Sequence, residues 1–337
     1  MSFIVRAVRR EDLQHLYELA RQFTLLNLPA ERRAIENKIE RSIASFGGEL
    51  GKGEAEYLFV VEDLEAEMVV GSSLILAKNG TPSSPNFSFK VLKKERFSRE
   101  LGIGFIHQIL RLNVNTDGPT EVGGLVVDRA YRRRPEKVGR MISLSRFIYI
   151  GMEPDRFEAD LHSEMAPPLT EEGRSDFWES LGRRFTGMPY QEADQISSQN
   201  NGFIQSLFPE EDIYLALLDS KARLVLGRVA EETQAALHML NKIGFKYKEE
   251  VDPFDGGPHL GCPAKECSLV KNLKKLKISK NKAGQFDQFA LMGLTRDGDY
   301  SGTVSSFRME GDELVLPEKT WETLSLNEGE EIYLSSL

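Results

Sequence analysis

Three consecutive arginines, Arg132 to Arg134, lie between an apolar run and a segment with helical periodicity. The apolar run ends at Val127, and the helical segment follows Gly139. This order predicts a strand, a basic turn and the start of a helix. A helix start presents unpaired backbone N–H groups and the positive end of the helix dipole, so such a turn can bind a phosphate. The stretch is a candidate pyrophosphate site; the alternative is an ordinary basic surface turn.

The spacing Arg134-x-x-Lys137-x-Gly139 resembles the R-x-x-G-x-G/A motif of the GNAT N-acyltransferase superfamily. In that superfamily the motif holds the pyrophosphate of coenzyme A. Lys137 stands at the first glycine of the motif. A lysine adds positive charge to a phosphate site, but it adopts a positive φ angle less easily than glycine does. By this resemblance Arg134, Lys137 and Gly139 are expected to bind coenzyme A.

The composition predicts a globular protein. The chain has 337 residues, of which 40% are hydrophobic and 28% are charged, enough for two or three domains. No apolar run approaches the roughly 20 residues that span a bilayer, and the first residues are charged where a signal peptide would be apolar. A net charge of -9 argues against general nucleic-acid binding. We therefore expect a cytoplasmic protein with no membrane or nucleic-acid partner.

The only two cysteines, Cys262 and Cys267, follow His259 closely. Two cysteines exclude a disulfide-rich scaffold and fit a reducing compartment. Together with His259 they offer three metal ligands, but the spacing matches no closed zinc site and a fourth ligand is not evident. The sequence therefore predicts reduced thiols and no metal site.

Periodicity in the first 150 residues predicts a mixture of strands and helices. The order is strand, two helices, two strands, and then the strand, turn and helix described above. This is the element order of a GNAT domain, so the predicted fold class is α/β (α+β). The predicted strands are Phe3 to Ala7, Tyr57 to Glu62 and Met68 to Ala77, and the two helices open at Glu11 and after Pro29.

Two later segments share one pattern, an amphipathic helix followed by a glycine and an aromatic residue. They are Ser175 to Phe185, with the helix ending at Gly182, and Ala235 to Phe245, with the helix ending at Gly244. In each the glycine is expected to take the left-handed conformation that ends a helix. The pattern predicts two GNAT-like halves, although any helix-to-strand turn can produce the same pair of residues.

The character of the sequence changes at about Ser268. A lysine-rich segment that reads as a linker is followed by short strands with turn signals, which predict a small β-rich unit. The predicted domains are a GNAT-like acyl-CoA-binding domain at 1–190, an abbreviated second half at 191–267 and the β-rich domain at 268–337.

Four segments resemble the arginine N-succinyltransferase family, including its paired arginine/ornithine-specific subunits. They are DFWESLGRRF at 176–185, FIQSLFPEEDIYLALL at 203–218, LGRVAEETQAALHMLNKIGF at 226–245 and VDPFDGGPHL at 251–260. The resemblance implies transfer of a succinyl group from succinyl-CoA to the α-amine of arginine. Succinyl-CoA would be a co-substrate, with no permanently bound cofactor. The family's paired subunits make either a homo-oligomer or a related partner subunit conceivable.

The resemblance also implies roles for particular residues. Leu125 stands where the family contacts the acyl-CoA, and Val126 and Val127 continue a strand whose N–H groups can face the thioester oxygen. The candidate proton-transfer residues are Glu164 and His259. Asn27 falls in the substrate region of the family.

A guanidinium substrate needs carboxylates, and the candidates are Asp255 in the glycine-flanked turn and Glu164 at the end of a predicted strand. The alternative for Asp255 is an Asx-turn residue that holds its own loop, and the two interpretations are equally well supported.

One departure from the family concerns the chemistry. The family's proton-donor histidine is replaced by Ala230, and alanine cannot transfer a proton. Three hypotheses follow: an arginine N-succinyltransferase in which Glu164, His259 or water replaces the histidine, an acyl-CoA-dependent transferase for another amine, or a non-catalytic binding or regulatory paralogue.

Overall fold

The computed structural model describes residues 2–22, 28–197, 201–280 and 284–336. The chain forms two compact units, each assembled from segments that are separated in the sequence. Unit 1 comprises Met1–Lys78, Thr120–Leu161 and Pro263–Leu337, and unit 2 comprises Asn79–Pro119 and His162–Cys262. The predicted boundaries at 190 and 267 follow the chain consecutively, whereas these units interleave its segments.

Strands and helices alternate in unit 1 in the order predicted for a GNAT domain. The first elements are β1 (Phe3–Ala7), α1 (Leu13–Ala20), α2 (Arg32–Phe46), β2 (Glu56–Asp63) and β3 (Met68–Leu76), and the strand and helix around the basic turn are β6 (Thr120–Val127) and α3 (Val138–Met152). Antiparallel pairs join β1 to β2, β2 to β3 and β3 to β6. Helix α3 is apolar on nearly all sides and buried from Met141 to Ile150, as expected of a helix inside a core.

Within the residues that the structure describes, the C-terminal part of unit 1 contains five strands and two short helices. Its elements are α10 (Ser268–Lys271), β11 (Lys274–Ser279), β12 (Gln288–Arg296), β13 (Asp299–Glu310), β14 (Glu313–Val315), α11 (Glu318–Leu324) and β15 (Glu331–Ser336). The strand order is β12-β15-β11-β14-β13, and β12 also pairs with β13, so the five strands close on themselves. The short strands predicted after about Ser268 are present, but they form part of unit 1.

The lysine-rich segment predicted as a linker is instead strand β11. Its residues Lys274 to Lys277 pair antiparallel with β15, and Ile278 pairs parallel with Leu314 of β14. Ile278 is buried, so one apolar residue anchors a strand whose lysines face outward. The linker prediction was wrong because it considered the charge of the lysines and not the apolar Ile278, which is buried.

Unit 2 has its own sheet. Its strands are β4 (Asn86–Ser98), β5 (Ile103–Asn115), β7 (Asp160–Glu164, of which the last three residues belong to this unit), β8 (Ile213–Tyr214), β9 (Lys246–Val251) and β10 (Pro258–Pro263). The order is β7-β10-β9-β4-β5-β8. Strands β4 and β5 form a long hairpin from Asn86 opposite Asn115 to Ser98 opposite Ile103, which the sequence did not predict.

The described residues of unit 2 also form six helices. They are α4 (Asp176–Ser180), α5 (Gly182–Thr186), α6 (Tyr190–Ser197), α7 (Gly202–Leu207), α8 (Ser220–Val225) and α9 (Gln234–Lys242). The core beneath them is aromatic. The rings of Trp178 and Phe254 stack with centroids 5.2 Å apart, and Phe89 lies edge-on to Phe177. Among the described residues, no helix combines the length and apolar character that crossing a membrane requires.

Gly182 and Gly244 have different roles, contrary to the shared pattern. Gly244 has a φ of 114° between α9 and Phe245, as predicted. Gly182 has no positive φ, and it begins α5 directly after α4 ends. A Cβ atom at Gly182 would lie 2.2 Å from the Trp178 ring. Gly182 is therefore required by close packing against an indole and not by a left-handed cap.

We predict that Gly182→Ala lowers the free energy of unfolding by about 1–3 kcal/mol or more, because the added methyl group overpacks a buried ring. Chemical denaturation measures the change. Gly51→Ala is the matched control, since a Cβ there meets nothing within 4 Å, and its effect should stay within about 0.5 kcal/mol. Equal stability of the two variants would contradict the packing explanation.

Candidate active site

A β-bulge lies in β6 just before the basic turn. Ser72 of β3 pairs with Val126 and Leu74 pairs with Gly123, so two residues of β6, Gly124 and Leu125, lie opposite a single residue of β3. Gly124 has a φ of 57°, which allows the bulge. Val126 and Val127 are buried, whereas Leu125 is half-buried. The bulge therefore takes the backbone around Leu125 out of the regular ladder, where a ligand can use its hydrogen-bonding groups.

A buried arginine holds this bulge. Arg146 of α3 donates hydrogen bonds to the carbonyl oxygens of Gly123 at 2.8 Å and Leu74 at 3.4 Å. Burial lowers the pKa of Arg146 to about 9, and the charge of Glu121 opposes this effect. Sequence reasoning missed Arg146, although a single arginine inside the apolar segment MISLSRFIYI was a visible signal.

The basic turn ends in a residue with a left-handed backbone conformation. Lys137 has φ 51° and ψ 45°, a left-handed conformation, directly before α3. The carbonyl oxygen of Lys137 accepts hydrogen bonds from the N–H groups of Arg140 and Met141. The first N–H groups of α3, those of Val138 and Gly139, have no acceptor within the helix. Lys137, which stands at the position of the motif's first glycine, thus has a positive φ.

Arg134 is held beside the turn. Its Nε donates to the carbonyl oxygen of Ala130 at 2.8 Å, and its guanidinium lies 3.9 Å from the centre of the Tyr131 ring. Gly139 approaches Val127 closely, since a Cβ there would be 3.4 Å from a Val127 methyl carbon. Unit 1 therefore brings together the end of β6, Arg134, Lys137 and Gly139, the residues predicted to bind coenzyme A.

An acidic pocket of about 160 Å³ opens on the surface of unit 2. Two carboxylates, those of Glu164 and Asp252, line it together with the side-chain amides of Asn79, Asn86 and Asn201. The apolar part of the wall includes Phe87, Ile204, Pro253 and Phe254. A pocket with carboxylates, amides and an apolar wall suits a cation that carries a hydrocarbon chain.

Glu164 contacts two buried histidines. Its Oε1 lies 3.4 Å from Nε2 of His162 and 3.7 Å from Nε2 of His259. Burial alone would raise the pKa of Glu164, but the hydrogen bond with His162 and the charges of both histidines lower it to about 2. Burial lowers the pKa of His259 to about 4, against the attraction of Glu164. Glu164 is thus the anionic, solvent-reaching member of the cluster.

Metal-ligand atoms converge in the same place. One atom each from His162, Glu164 and His259 lie within 4.8 Å of one another, which is the only such group among the described residues. The sequence had weighed His259 with Cys262 and Cys267, and both of those thiols are buried and unbonded to each other. His162 was not predicted, because its closeness to His259 depends on two strands 97 positions apart.

Asp255 and Asp252 hold the loop between β9 and β10. Oδ1 of Asp255 accepts the N–H of Gly257 at 2.8 Å, which is the Asx-turn alternative. Oδ1 of Asp252 accepts the N–H groups of Phe254 and Asp255. Burial raises the pKa of Asp255 to about 7, aided by the charge of Glu164, and burial and the charge of Asp255 raise that of Asp252. Asp252 lines the pocket and Asp255 is not among its lining residues, so the sequence selected the neighbouring aspartate outside the pocket wall.

Comparison with known proteins places the chain in a family. A family model described as arginine N-succinyltransferase beta subunit matches residues 3–269. The chain belongs to the arginine N-succinyltransferase family. An arginine N-succinyltransferase of Photorhabdus laumondii is 31% identical over 99% of this chain and 98% of its own length, and one of Escherichia coli is 32% identical over 84% and 83%. The predicted family is confirmed.

A solved structure supports the fold. Subunit AI of the arginine/ornithine succinyltransferase of Pseudomonas aeruginosa superposes with a TM-score of 0.88 at 25% identity, covering 99% of this chain and 98% of that one. The predicted α/β acyltransferase fold is therefore confirmed.

Ala230 lies in unit 2. It replaces the proton-donor histidine that the resemblance to the arginine N-succinyltransferase family implies at this position. Its side chain is buried, and its N–H donates to the carbonyl oxygen of Ala166 at 2.9 Å. Thr233 bonds to the carbonyl oxygens of both alanines. The position is thus an ordered part of the backbone without a titratable group. Asn27, predicted to bind substrate, lies outside the described residues.

We predict that Arg134→Glu weakens coenzyme A binding about 10- to 100-fold, because a charged hydrogen-bond donor to phosphate is replaced by an anion. Titration calorimetry with coenzyme A measures the affinity, and the loss should be larger at low salt because screening is weaker there. Arg99→Glu makes the same charge change on the hairpin of unit 2 and should leave the affinity unchanged. Equal coenzyme A affinities of the unsubstituted protein, Arg134→Glu and Arg99→Glu would show that the turn is not part of the binding site.

Proposed function

We propose that this protein transfers the succinyl group of succinyl-CoA to the α-amine of arginine. The observation that carries the proposal is membership, over nearly the whole chain, of a family whose curated relatives are named arginine N-succinyltransferase. The acidic pocket of unit 2 and the basic turn of unit 1 supply the two kinds of binding site that such a reaction needs.

The basic turn supports binding of the coenzyme A pyrophosphate. Arg134 and Lys137 place two cationic side chains within the five residues before α3, whose N-terminus adds N–H groups without acceptors in the helix and the positive end of the helix dipole. The bulge at Leu125 supports binding of the pantetheine arm, whose amides need backbone partners. We therefore assign Leu125, Val126 and Val127 to the acyl-CoA, with Arg146 holding the strand in this shape.

The pocket of unit 2 supports binding of the arginine cation. A guanidinium group has five donors in a planar fork, which suits the carboxylates of Glu164 and Asp252 and the amide oxygens beside them. Asp194, whose pKa burial raises to about 7, adds a third carboxylate close enough to influence Asp255. Buried carboxylates with raised pKa values are stabilised in their ionised form when a cation binds. Arginine is thus the substrate that this pocket favours.

Acyl transfer requires proton movements in addition to binding. The amine nitrogen loses a proton and attacks the thioester carbonyl carbon, the carbon–sulfur bond breaks, and the thiolate takes up a proton. Ala230 supplies no group for this purpose. We assign the proton transfers to the cluster of Glu164, His259 and His162 in unit 2, in which Glu164 lines the pocket.

Ala230 favours one further candidate, a non-catalytic member that binds coenzyme A and regulates an active partner. The Pseudomonas aeruginosa relative is named as a subunit. A pair with a related subunit, or a homo-oligomer, remains our expectation for the assembly.

We predict that Asp252→Asn raises the KM for arginine about 10- to 100-fold and changes kcat little, because it removes a charged contact made equally to bound substrate and transition state. The amide keeps an oxygen for the N–H groups of Phe254 and Asp255, so the loop should persist. Steady-state kinetics with arginine and a panel of other amines measures the change. Asp219→Asn, at an exposed ion pair in the same unit, is the control. A KM equal to that of the control would exclude Asp252 from the substrate site.

We predict that Ala230→His raises succinyl transfer to arginine if the pocket lacks only its proton donor. General acid–base catalysis contributes about 10²- to 10⁴-fold, so the increase would be visible above background. The initial rate of coenzyme A release measures it. A large increase would favour a slow or non-catalytic natural form, whereas no increase over an already active protein would show that the cluster of Glu164, His259 and His162 suffices.

A further inference from the structure

We propose that His162, Glu164 and His259 bind one divalent transition-metal ion of the zinc class. The proposal deepens the proposed function and rests on it only for the role of the ion, which would supply a bound water for the proton transfer assigned to this cluster. Binding of the ion itself can be measured without either substrate, so the two proposals can fail separately.

Two neighbouring strands place the three side chains. His162 and Glu164 are two residues apart on β7, so both project from the same face of the strand. His259 lies on β10, the next strand of the sheet, and the N–H of Met165 donates to the carbonyl oxygen of Pro258 at 3.1 Å. The hydrogen bonds between paired strands hold these side chains in place. Metal sites built on such regular elements are more precise than sites on loops.

The distances are close to those of a metal site. Oε1 of Glu164 is 3.4 Å from Nε2 of His162 and 3.7 Å from Nε2 of His259, and the imidazole centroids are 4.7 Å apart with planes at 83°. Zinc bonds to nitrogen and carboxylate oxygen are about 2.0–2.2 Å, which puts tetrahedral ligand atoms roughly 3.3–3.6 Å apart. Small side-chain movements would therefore close the three atoms around an ion.

His259 provides the second observation. It is 1% exposed, and among the described residues its Nε2, the atom that faces Glu164, has no hydrogen-bond partner. Native structures rarely leave a buried ring nitrogen unsatisfied. Its other nitrogen, Nδ1, lies 4.0 Å from Oε2 of Glu250, which is too far for a hydrogen bond. An ion between Nε2 and Glu164 would satisfy the unpaired atom.

The ligand set determines which ion fits. Two imidazoles with one carboxylate suit zinc and its neighbours, whereas magnesium and calcium take oxygen ligands. Three protein ligands are also the number found in catalytic zinc sites, which keep one position for water or substrate. Glu164 is one-third exposed and lines the pocket, so the open position would be reached from there.

The test is titration of chelator-treated protein with Zn²⁺ by calorimetry and with Co²⁺ by visible absorption, in the absence of substrate. We expect one ion per chain and the absorption bands of cobalt in a low-coordinate nitrogen and oxygen site. Glu164→Gln and His259→Ala should each weaken binding more than about 100-fold, beyond the loss typical of an outer-sphere partner. His238→Ala, which removes an exposed histidine of the same unit, should bind as the unsubstituted protein does.

Three results would overturn the proposal: no binding at one ion per chain, binding that survives both substitutions, or binding that His238→Ala abolishes. Circular dichroism verifies that each variant is folded. If His259→Ala does not fold, Glu164→Gln alone tests metal binding, because this substitution keeps the shape of a partly exposed side chain. Stoichiometric binding without succinyl transfer would support the metal site and reject the proposed function, whereas transfer by protein that binds no ion would do the opposite.

Discussion

The contact of the Glu164 carboxylate with two buried imidazoles is the interaction on which the candidate active site depends. Buried histidines need polar partners, and here the anion that attracts them also reaches solvent in the acidic pocket. The contact ties the pocket to the pairing of β7 and β10, since any change in strand register would move His162 or His259 to the other face of the sheet. The pairing of β7 with β10 therefore fixes the positions of His162, Glu164 and His259 in unit 2.

The proposed site in unit 1 depends instead on backbone conformation. A large anionic ligand would bind there to backbone groups of the bulge and the turn. Lys137 adopts a left-handed conformation that costs a non-glycine residue roughly 1–2 kcal/mol, and Arg146 keeps a guanidinium inside a core. Both are local departures from what folding alone would favour. Such departures are expected where a site must be preorganised, and they coincide with the bulge and the turn assigned to coenzyme A.

The sequence predicted the local features of the site better than the contacts between distant segments. The strand, basic turn and helix around Arg134 follow from periodicity and motif within thirty consecutive residues. Glu164 and His259 were selected separately, but their meeting with His162 depends on strand pairing across about a hundred residues. Gly182 was mistaken for a helix cap because a glycine required by Trp178 looks the same in a sequence. The hairpin of β4 and β5 was missed because its outer half carries exposed apolar and charged residues without a clean alternation.

We propose that this family member performs acyl transfer although Ala230 stands at the position of the family's histidine. Mass spectrometry of the products formed by the unsubstituted protein from succinyl-CoA and arginine labelled with ¹⁵N at the α-amine tests this claim most directly. We expect labelled succinylarginine to accumulate in proportion to protein concentration, at a rate within the ordinary enzymatic range of about 1 to 10³ per second. The absence of succinylarginine above the protein-free background, from protein that binds coenzyme A, would contradict the account.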